Sequence, residues 1–389
     1  MADYITEAWV LYAGSKSANP HKDELASLRK ESLALSKLAE GEVLAEPIYG
    51  CWEGNMNHAL ERRPIDICHQ RGEGKVVLGN AGVVRVAAIG ADVRNLRPGQ
   101  HAILFPSSII DRFGYPERML AYDAPGTMGC LATRIKLKAR ELVPVPEGTR
   151  HSLAQWAAFS VRYITAWSNW ELAFGTFRLL VGADEFPDPH VWGWSGGTTL
   201  AELDLAARQG CRTVMLSGND THLEQIRRTG ITALDRRAFG ELLFDEKLYA
   251  EDGAFRRVYT QAERSFLREV SERTGGENVQ IFVDYIGSPL FRATSKALGR
   301  EGIITTAGWK QGMSITYLRS VECIGRHQFI HTHYARYSQA LAAVAYGEEH
   351  GWMPEIDKRI YRFDEIPDLA ARFHRSETGF FPVYSVNDE

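Results

Sequence analysis

One stretch constrains this chain more than any other: HVWGWSGGTTLAEL, residues His190–Leu203. Val191 and Trp192 read as the end of a buried strand. Gly193, Ser195, Gly196 and Gly197 make a sharp turn, and Leu200, Leu203, Leu205 and Ala206 then recur at helical spacing. A strand that turns through glycines into a helix leaves free N–H groups at the helix N-terminus. Such a terminus favours an anion, and glycines let a pyrophosphate come close to the backbone. The competing reading is a plain strand–helix turn. The arrival of strand, turn and helix in the required order argues against it. Gly193, Ser195, Gly196, Gly197 and Thr198 are therefore expected to touch a dinucleotide.

The remaining bulk properties narrow the class. At 389 residues the chain has room for two cores. The formal net charge of −4 gives no nucleic-acid footprint. Five scattered cysteines, an odd number, suit a reducing compartment better than a disulfide scaffold. No run approaches the roughly 20 apolar residues that span a bilayer, and MADYITEAWV is unlike a secretory signal. A cytoplasmic enzyme without nucleic-acid or membrane partners is expected.

Along the chain, His21–Lys37 is charged, with Leu25, Leu28, Leu33 and Leu35 at helix-like spacing, and predicts a helix. From Lys75 the pattern turns to strands: KVVLGNAGVVRVAAIG, then NLRPGQHAILF after a turn at Pro98–Gly99, then IKLKARELVPVPEG. From about Ser152 helices and strands alternate, with strands at His190–Trp194, Arg212–Leu216, Val279–Tyr285 and Gly302–Ala307. Helices are predicted at Thr199–Gln209, His222–Thr229, Ser265–Thr274 and Pro289–Leu298. That alternation predicts a parallel sheet. Arg236–Glu263, without clear periodicity, reads as a surface excursion.

The order of G-N-A-G-V-V-R-V-A-A-I-G, L-R-P-G-Q-H-A, V-P-V-P-E-G, Y-I-T-A-W and G-W-S-G-G resembles the medium-chain dehydrogenase/reductase superfamily over nearly the whole chain. The resemblance implies an α/β protein. A GroES-like β-rich catalytic domain would span residues 1–160 with 340–389, and a doubly wound Rossmann domain 161–339. FFPVYSV would return to the first domain. Gly79-Asn80-Ala81-Gly82 stands where the family's zinc enzymes carry G-H-E-x-x-G, and no cysteine stands at Ala157–Ser160. Cys51, near the family's first ligand position, would be left as a single donor, whereas zinc needs about three. A rival set of Cys51, His58, Cys68 and His69 matches no known zinc spacing. No metal is expected.

Zinc-free members of the superfamily mostly reduce carbon–carbon double bonds conjugated to a carbonyl. Within that branch the chain is similar to crotonyl-CoA carboxylase/reductases and enoyl-thioester reductases. The likeness rests on GCWEGNMNHALERRPIDICHQRG, on a long insertion between the second and third Rossmann strands, and on GREGIITTAGWKQGMSITYLRSVECIGRHQF. It implies reduction of an α,β-unsaturated acyl thioester, carried on CoA or an acyl carrier protein, by a homodimer or homotetramer. It also implies His327, Asn55 and Asn57 at the substrate, with Tyr163 as a hydroxyl donor, and Thr165, Ala307 and Gly308 beside the nicotinamide. The group's glutamate falls near Ala132–Thr133, where this chain has threonine, which argues against carbon dioxide fixation.

The second Rossmann strand ends in VMLSGNDTH. An acid at the end of this strand would hold the ribose hydroxyls of NADH. Ser217, Gly218 and Asn219 instead leave room for a 2′-phosphate, which favours NADPH over NADH, with His222, Arg212 or Arg227 as its basic partner. The tryptophans Trp52, Trp156, Trp167, Trp170, Trp192, Trp194 and Trp309 either shape an apolar pocket or fill the cores. Three alternatives stay open: a quinone, enone or imine reductase of the same fold, a reductive carboxylase, and a nucleotide-binding protein without turnover, for which Thr199 in place of a third glycine gives some footing.

Overall fold

Valine-rich runs broken by glycine and proline form strands in the first part of the chain, and alternating apolar periods form βα units in the second. The computed structural model describes residues 4–15, 25–308 and 314–389, so the start of the helix expected at His21–Lys37, and Trp309, lie outside the described residues. The chain divides into two compact units, Met1–Ile164 with Ala335–Glu389, and Thr165–Tyr334.

In the first unit β1 (Tyr4–Tyr12) pairs antiparallel with β2 (Arg29–Leu35). β2 corrects the expected helix. Leu33 and Leu35 do fit a helical spacing, but they also alternate, and pairing with β1 decides in favour of the strand. The main sheet runs β3 (Glu42–Cys51), β4 (Gly82–Ile89), β5 (His101–Leu104), β6 (Ile135–Lys138) and β7 (Leu142–Pro144), in the order β7-β5-β4-β3 with β6 also on β3. β4 buries Val83, Val84 and Val86. The chain's end adds β14 (Val383–Ser385) antiparallel to β3, with Val383 opposite Cys51. The helices α1 (Gly54–Glu61) and α7 (Tyr337–His350) belong to this unit, and α2 (Leu153–Leu180) gives it the residues up to Ile164 and the second unit the rest.

The second unit is a six-stranded, wholly parallel sheet of β8 (His190–Trp194), β9 (Arg212–Ser217), β10 (Thr232–Asp235), β11 (Val279–Val283), β12 (Leu298–Thr305) and β13 (Phe329–His331). Its order is β10-β9-β8-β11-β12-β13, which reverses direction at β8 and so opens a crevice at the carboxyl ends of the strands. The connecting helices include α3 (Gly197–Arg208), α4 (Asp220–Arg228), α5 (Gly253–Thr274) and α6 (Ser288–Ala297). The sequence pattern missed β10, only four residues long. It also missed that the expected excursion at Arg236–Glu263 contains a helix, Glu246–Glu251, and the first half of α5. Trp192 and Trp194 lie in this unit's core with Phe266 and Phe282. The Trp194 indole N–H donates to Thr294 Oγ1 at 2.7 Å. Its place beside the glycine turn is therefore a packing role, not a pocket wall. No described helix is long and apolar enough to cross a membrane.

Candidate active site

The dinucleotide half of the site grows from the end of β8. A Cβ added to Gly193 would meet Thr199 Cγ2 at 2.4 Å and the Val283 carbonyl oxygen at 3.1 Å, so only glycine fits there. Thr199 is fully buried and its hydroxyl has no partner. The family's third glycine serves close helix–strand packing. Here the first glycine of the turn absorbs the threonine methyl instead. Gly196, in extended backbone (φ 177°), caps α3 without any side-chain hydrogen bond, so the N–H groups of Gly197, Thr198 and Thr199 have no intrahelical acceptor. These groups and the closeness of the backbone fit a pyrophosphate.

Two further elements reach the same edge. Ser195 Oγ lies 3.3 Å from His222 Nδ1 in the first turn of α4. Asn219 caps α4, its Oδ1 accepting from the His222 N–H at 3.1 Å. Ser217 is buried and its Oγ accepts from the Asn219 N–H at 3.2 Å. The structure thus brings Ser195, Ser217, Asn219 and His222 together. Of the other basic candidates, Arg212 begins β9, at the far end of the strand, and its Nε donates to Asp188 at 2.7 Å. It cannot serve the carboxyl end. Arg236 does stand there, just past β10, and the sequence reading missed it because β10 itself was missed.

The β12 end carries the Ala307–Gly308 turn. A Cβ on Gly308 would meet the Tyr285 carbonyl oxygen at 2.9 Å, and the Thr306 N–H donates to the His331 carbonyl oxygen at 2.9 Å. Beneath it runs a buried polar network. The Tyr285 hydroxyl donates to Glu202 Oε2 at 2.5 Å, Thr305 Oγ1 donates to Asn169 Oδ1 at 3.3 Å, and Asn169 Nδ2 donates to the carbonyl oxygens of His333 at 2.8 Å and Thr165 at 3.1 Å. Burial of Glu202 pushes its carboxyl up to about 8, and its Oε1 has no partner. Thr165 is therefore held by its own backbone at the head of the unit.

The structure places His327 apart from the strand ends described above. It is exposed, in left-handed backbone (φ 53°), two residues before β13 begins. Ligands gather at carboxyl ends of a parallel sheet, and His327 stands at the amino end. His331 and His333 are the histidines at the correct end: His331 pairs in register with Thr305. Its Nε2 is buried without a partner, and burial lowers the imidazole below its ordinary range.

In the first unit the asparagines separate. Asn55 and Asn57 are two apart on α1, so their side chains leave on different faces. The Asn57 Nδ2 donates to Glu61 Oε1 at 2.5 Å, and the same oxygen lies 3.1 Å from His374 Nδ1. Asn57 is thus committed to the fold. Asn55 is half-buried at the start of the helix, its N–H donating to the capping carboxylate of Glu53 at 3.1 Å. Tyr163 is buried in an aromatic cluster, 5.0 Å from the Phe159 ring and 4.6 Å from that of Trp352, which is a packing role for its ring.

At the family's zinc position, Arg162 Nη1 lies 2.9 Å from Cys51 Sγ and its Nη2 donates to the Trp52 carbonyl oxygen at 2.7 Å. Burial pushes the Cys51 thiol up to about 11. The Cys51 N–H donates to the Ala81 carbonyl oxygen at 3.1 Å, Asn80 is buried, and Ser160 Oγ accepts from the Gly82 N–H at 3.0 Å. A protonated thiol engaged by a guanidinium is not a donor for zinc. Among the described residues no group of three His, Cys, Asp or Glu side chains is placed to hold a metal ion.

No family model matches the chain. A crotonyl-CoA reductase of Streptomyces avermitilis is 24% identical over 307 residues, covering 76% of this chain and 64% of that protein. A crotonyl-CoA reductase of Streptomyces collinus is 25% identical over 190 residues, 48% of this chain and 40% of that protein. The chain thus spans less than two thirds of the curated relatives it matches. Among solved structures, the 2-octenoyl-CoA carboxylase reductase CinF in complex with NADP and 2-octenoyl-CoA superposes with a TM-score of 0.78 at 20% identity, over 98% of this chain and 87% of that one. The crotonyl-CoA carboxylase/reductase AntE in complex with NADP gives 0.79 at 20% identity, over 99% and 95%. These likenesses and the architecture above agree: in fold, a GroES-like and a Rossmann domain, this chain is similar to the crotonyl-CoA carboxylase/reductases.

Proposed function

We propose that the protein is a zinc-independent, NADPH-dependent reductase of the carbon–carbon double bond of an α,β-unsaturated acyl-CoA. The observation that carries this reading is the glycine turn at Gly193–Gly197. It places an uncapped helix N-terminus at the switch point of a parallel sheet in a fold whose solved neighbours hold NADP. The chemistry supplied with bound NADPH is hydride transfer to the β-carbon of the substrate.

The residues of this chain have four tasks. The N–H groups of Gly197, Thr198 and Thr199 hold the pyrophosphate, and Ser195 and His222 close its edge. The Ala307–Gly308 turn, pressed on Tyr285, and the head of the unit at Thr165 fix the nicotinamide end. Asn55 donates to the thioester oxygen, where negative charge develops on reduction. His331, held neutral by burial, lies at the carboxyl end and guides the proton. A homo-oligomer in the cytoplasm completes the reading. Support for a second copy comes from β13, the described edge of the sheet. Phe329 on that strand and Leu318, Val321 and Ile324 before it are exposed.

The test is turnover of crotonyl-CoA, a longer enoyl-CoA, an enoyl-acyl carrier protein and small enones with NADPH and with NADH. Reduction of an enoyl-CoA with NADPH is expected. Reduction of enones alone, or NADPH binding without turnover of any acceptor, would reject the reading. Bicarbonate in a parallel reaction distinguishes plain reduction, the expected result, from reductive carboxylation.

A further inference from the structure

Residues just past the carboxyl ends of parallel strands face the ligand side of the sheet. Ser217 and Asp235 pair in register, so the next residues, Gly218 and Arg236, stand side by side beyond β9 and β10. They touch. A Cβ on Gly218 would meet Arg236 Nε at 3.0 Å and Cζ at 3.5 Å. The glycine is what leaves the guanidinium its place.

The neighbouring Arg237 is already engaged. Its Nε donates to Asp235 Oδ1 at 2.8 Å, and its Nη2 donates to Asp235 Oδ2 at 2.7 Å and Asp220 Oδ1 at 2.5 Å. Those hydrogen bonds hold both carboxyls below the ordinary carboxylate range. Asp220 is the first acid after β9, the residue type that would otherwise take ribose hydroxyls. Here it is turned to an arginine. The half-buried Arg236 guanidinium forms no hydrogen bond or ion pair within the described residues. The other cations are less well placed. Arg228 pairs with Glu224 along α4, and Arg227 lies in the last turn of that helix, roughly 10 Å along its axis from the end that faces the ligand.

We propose that Arg236, in the space left by Gly218, grips the 2′-phosphate of the dinucleotide and sets the preference for NADPH over NADH, while Arg237 neutralises the two acids that would repel that phosphate. The inference rests on the dinucleotide reading above and names the residue that makes it selective. A guanidinium suits this role because it meets phosphate through two parallel N–H donors.

The experiment is a binding titration of the full chain, followed by nucleotide fluorescence and calorimetry and needing no turnover. NADPH is compared with NADH, and 2′,5′-ADP with 5′-AMP. Arg236→Gln is expected to weaken NADPH and 2′,5′-ADP by about tenfold or more while NADH and 5′-AMP stay within about twofold. Gly218→Ala, which puts a methyl against Arg236 Nε, is expected to shift selectivity the same way. Arg227→Gln is expected to leave it unchanged. A Tm near wild type verifies that the Arg236 variant is folded. An Arg236→Gln protein that keeps its NADPH preference, or loses both dinucleotides equally, overturns the inference and leaves the dinucleotide reading intact. So does loss of preference in Arg227→Gln alone. A wild-type protein that binds neither dinucleotide overturns the reading itself and this inference with it.

Discussion

Glu202 lies on α3, one turn beyond Thr199, fully buried, with Tyr285 on one oxygen and nothing on the other. Burial disfavours its charged form and raises the folded carboxyl to about 8 from an ordinary 4.5. The unfolded chain gives up this proton first as pH rises. Stability tied to the neutral carboxyl is therefore complete below about 4.5, declines above it and is lost beyond about 8. Glu202→Gln keeps the neutral shape and removes the titration. The wild-type Tm should fall relative to that variant between pH about 4.5 and about 8. Parallel Tm curves for the two proteins would show that the carboxyl does not titrate in this window. No sequence pattern announced Glu202. It sits inside LAELDLAARQ, where an acid within a helix reads as a solvated face, and only the packing of α3 on the sheet turns it inward.

At the scale of elements, α1 shows how one motif divides. The sequence offered two asparagines for one oxygen, and helix geometry sends them to different faces. Asn57→Ala should cost about 1 kcal/mol of stability through the lost bond to Glu61 and lower the Tm, with KM little changed. Asn55→Ala should lower kcat/KM for an enoyl-CoA by about tenfold or more with a near-normal Tm. The reverse pattern would exchange the roles assigned to them. The same scale explains what was legible. β8, α3, β9 and β11 declared themselves because apolar period and glycine turn agree within each segment. β2 and β10 did not. The first looks helical until β1 pairs with it, and the second is four residues long. Missing β10 hid Arg236, and the I-G-x-H likeness that pointed to His327 carries no information on which end of β13 a histidine occupies.

For the whole molecule, the division into two units follows from two separate apolar clusters, one around Val84, Leu104 and Ile135 and one around Trp194, Phe266 and Phe282. A second copy covering β13 should make the protein at least dimeric by light scattering. Ile324→Asp, which puts a charge on that exposed apolar surface, should shift it toward monomer. An Ile324→Asp protein of unchanged mass would place the interface elsewhere. The resemblance to a two-domain oxidoreductase was legible because its motifs run nearly the whole length. The edge position of β13 was not legible, because an edge strand is defined by what fails to pair with it.

The burial of the cysteines has a practical consequence. Cys51, Cys68, Cys130 and Cys211 are buried, and Cys323 is partly exposed. Desolvation pushes the Cys51 thiol up to about 11 and those of Cys68 and Cys211 up to about 12, so they offer little thiolate to an electrophile at neutral pH. Cys323 comes six residues before β13. The native protein therefore carries a single handle for a maleimide dye, without any engineered cysteine, and it sits next to the edge strand. A dye there would report whether that edge is covered or bare in solution.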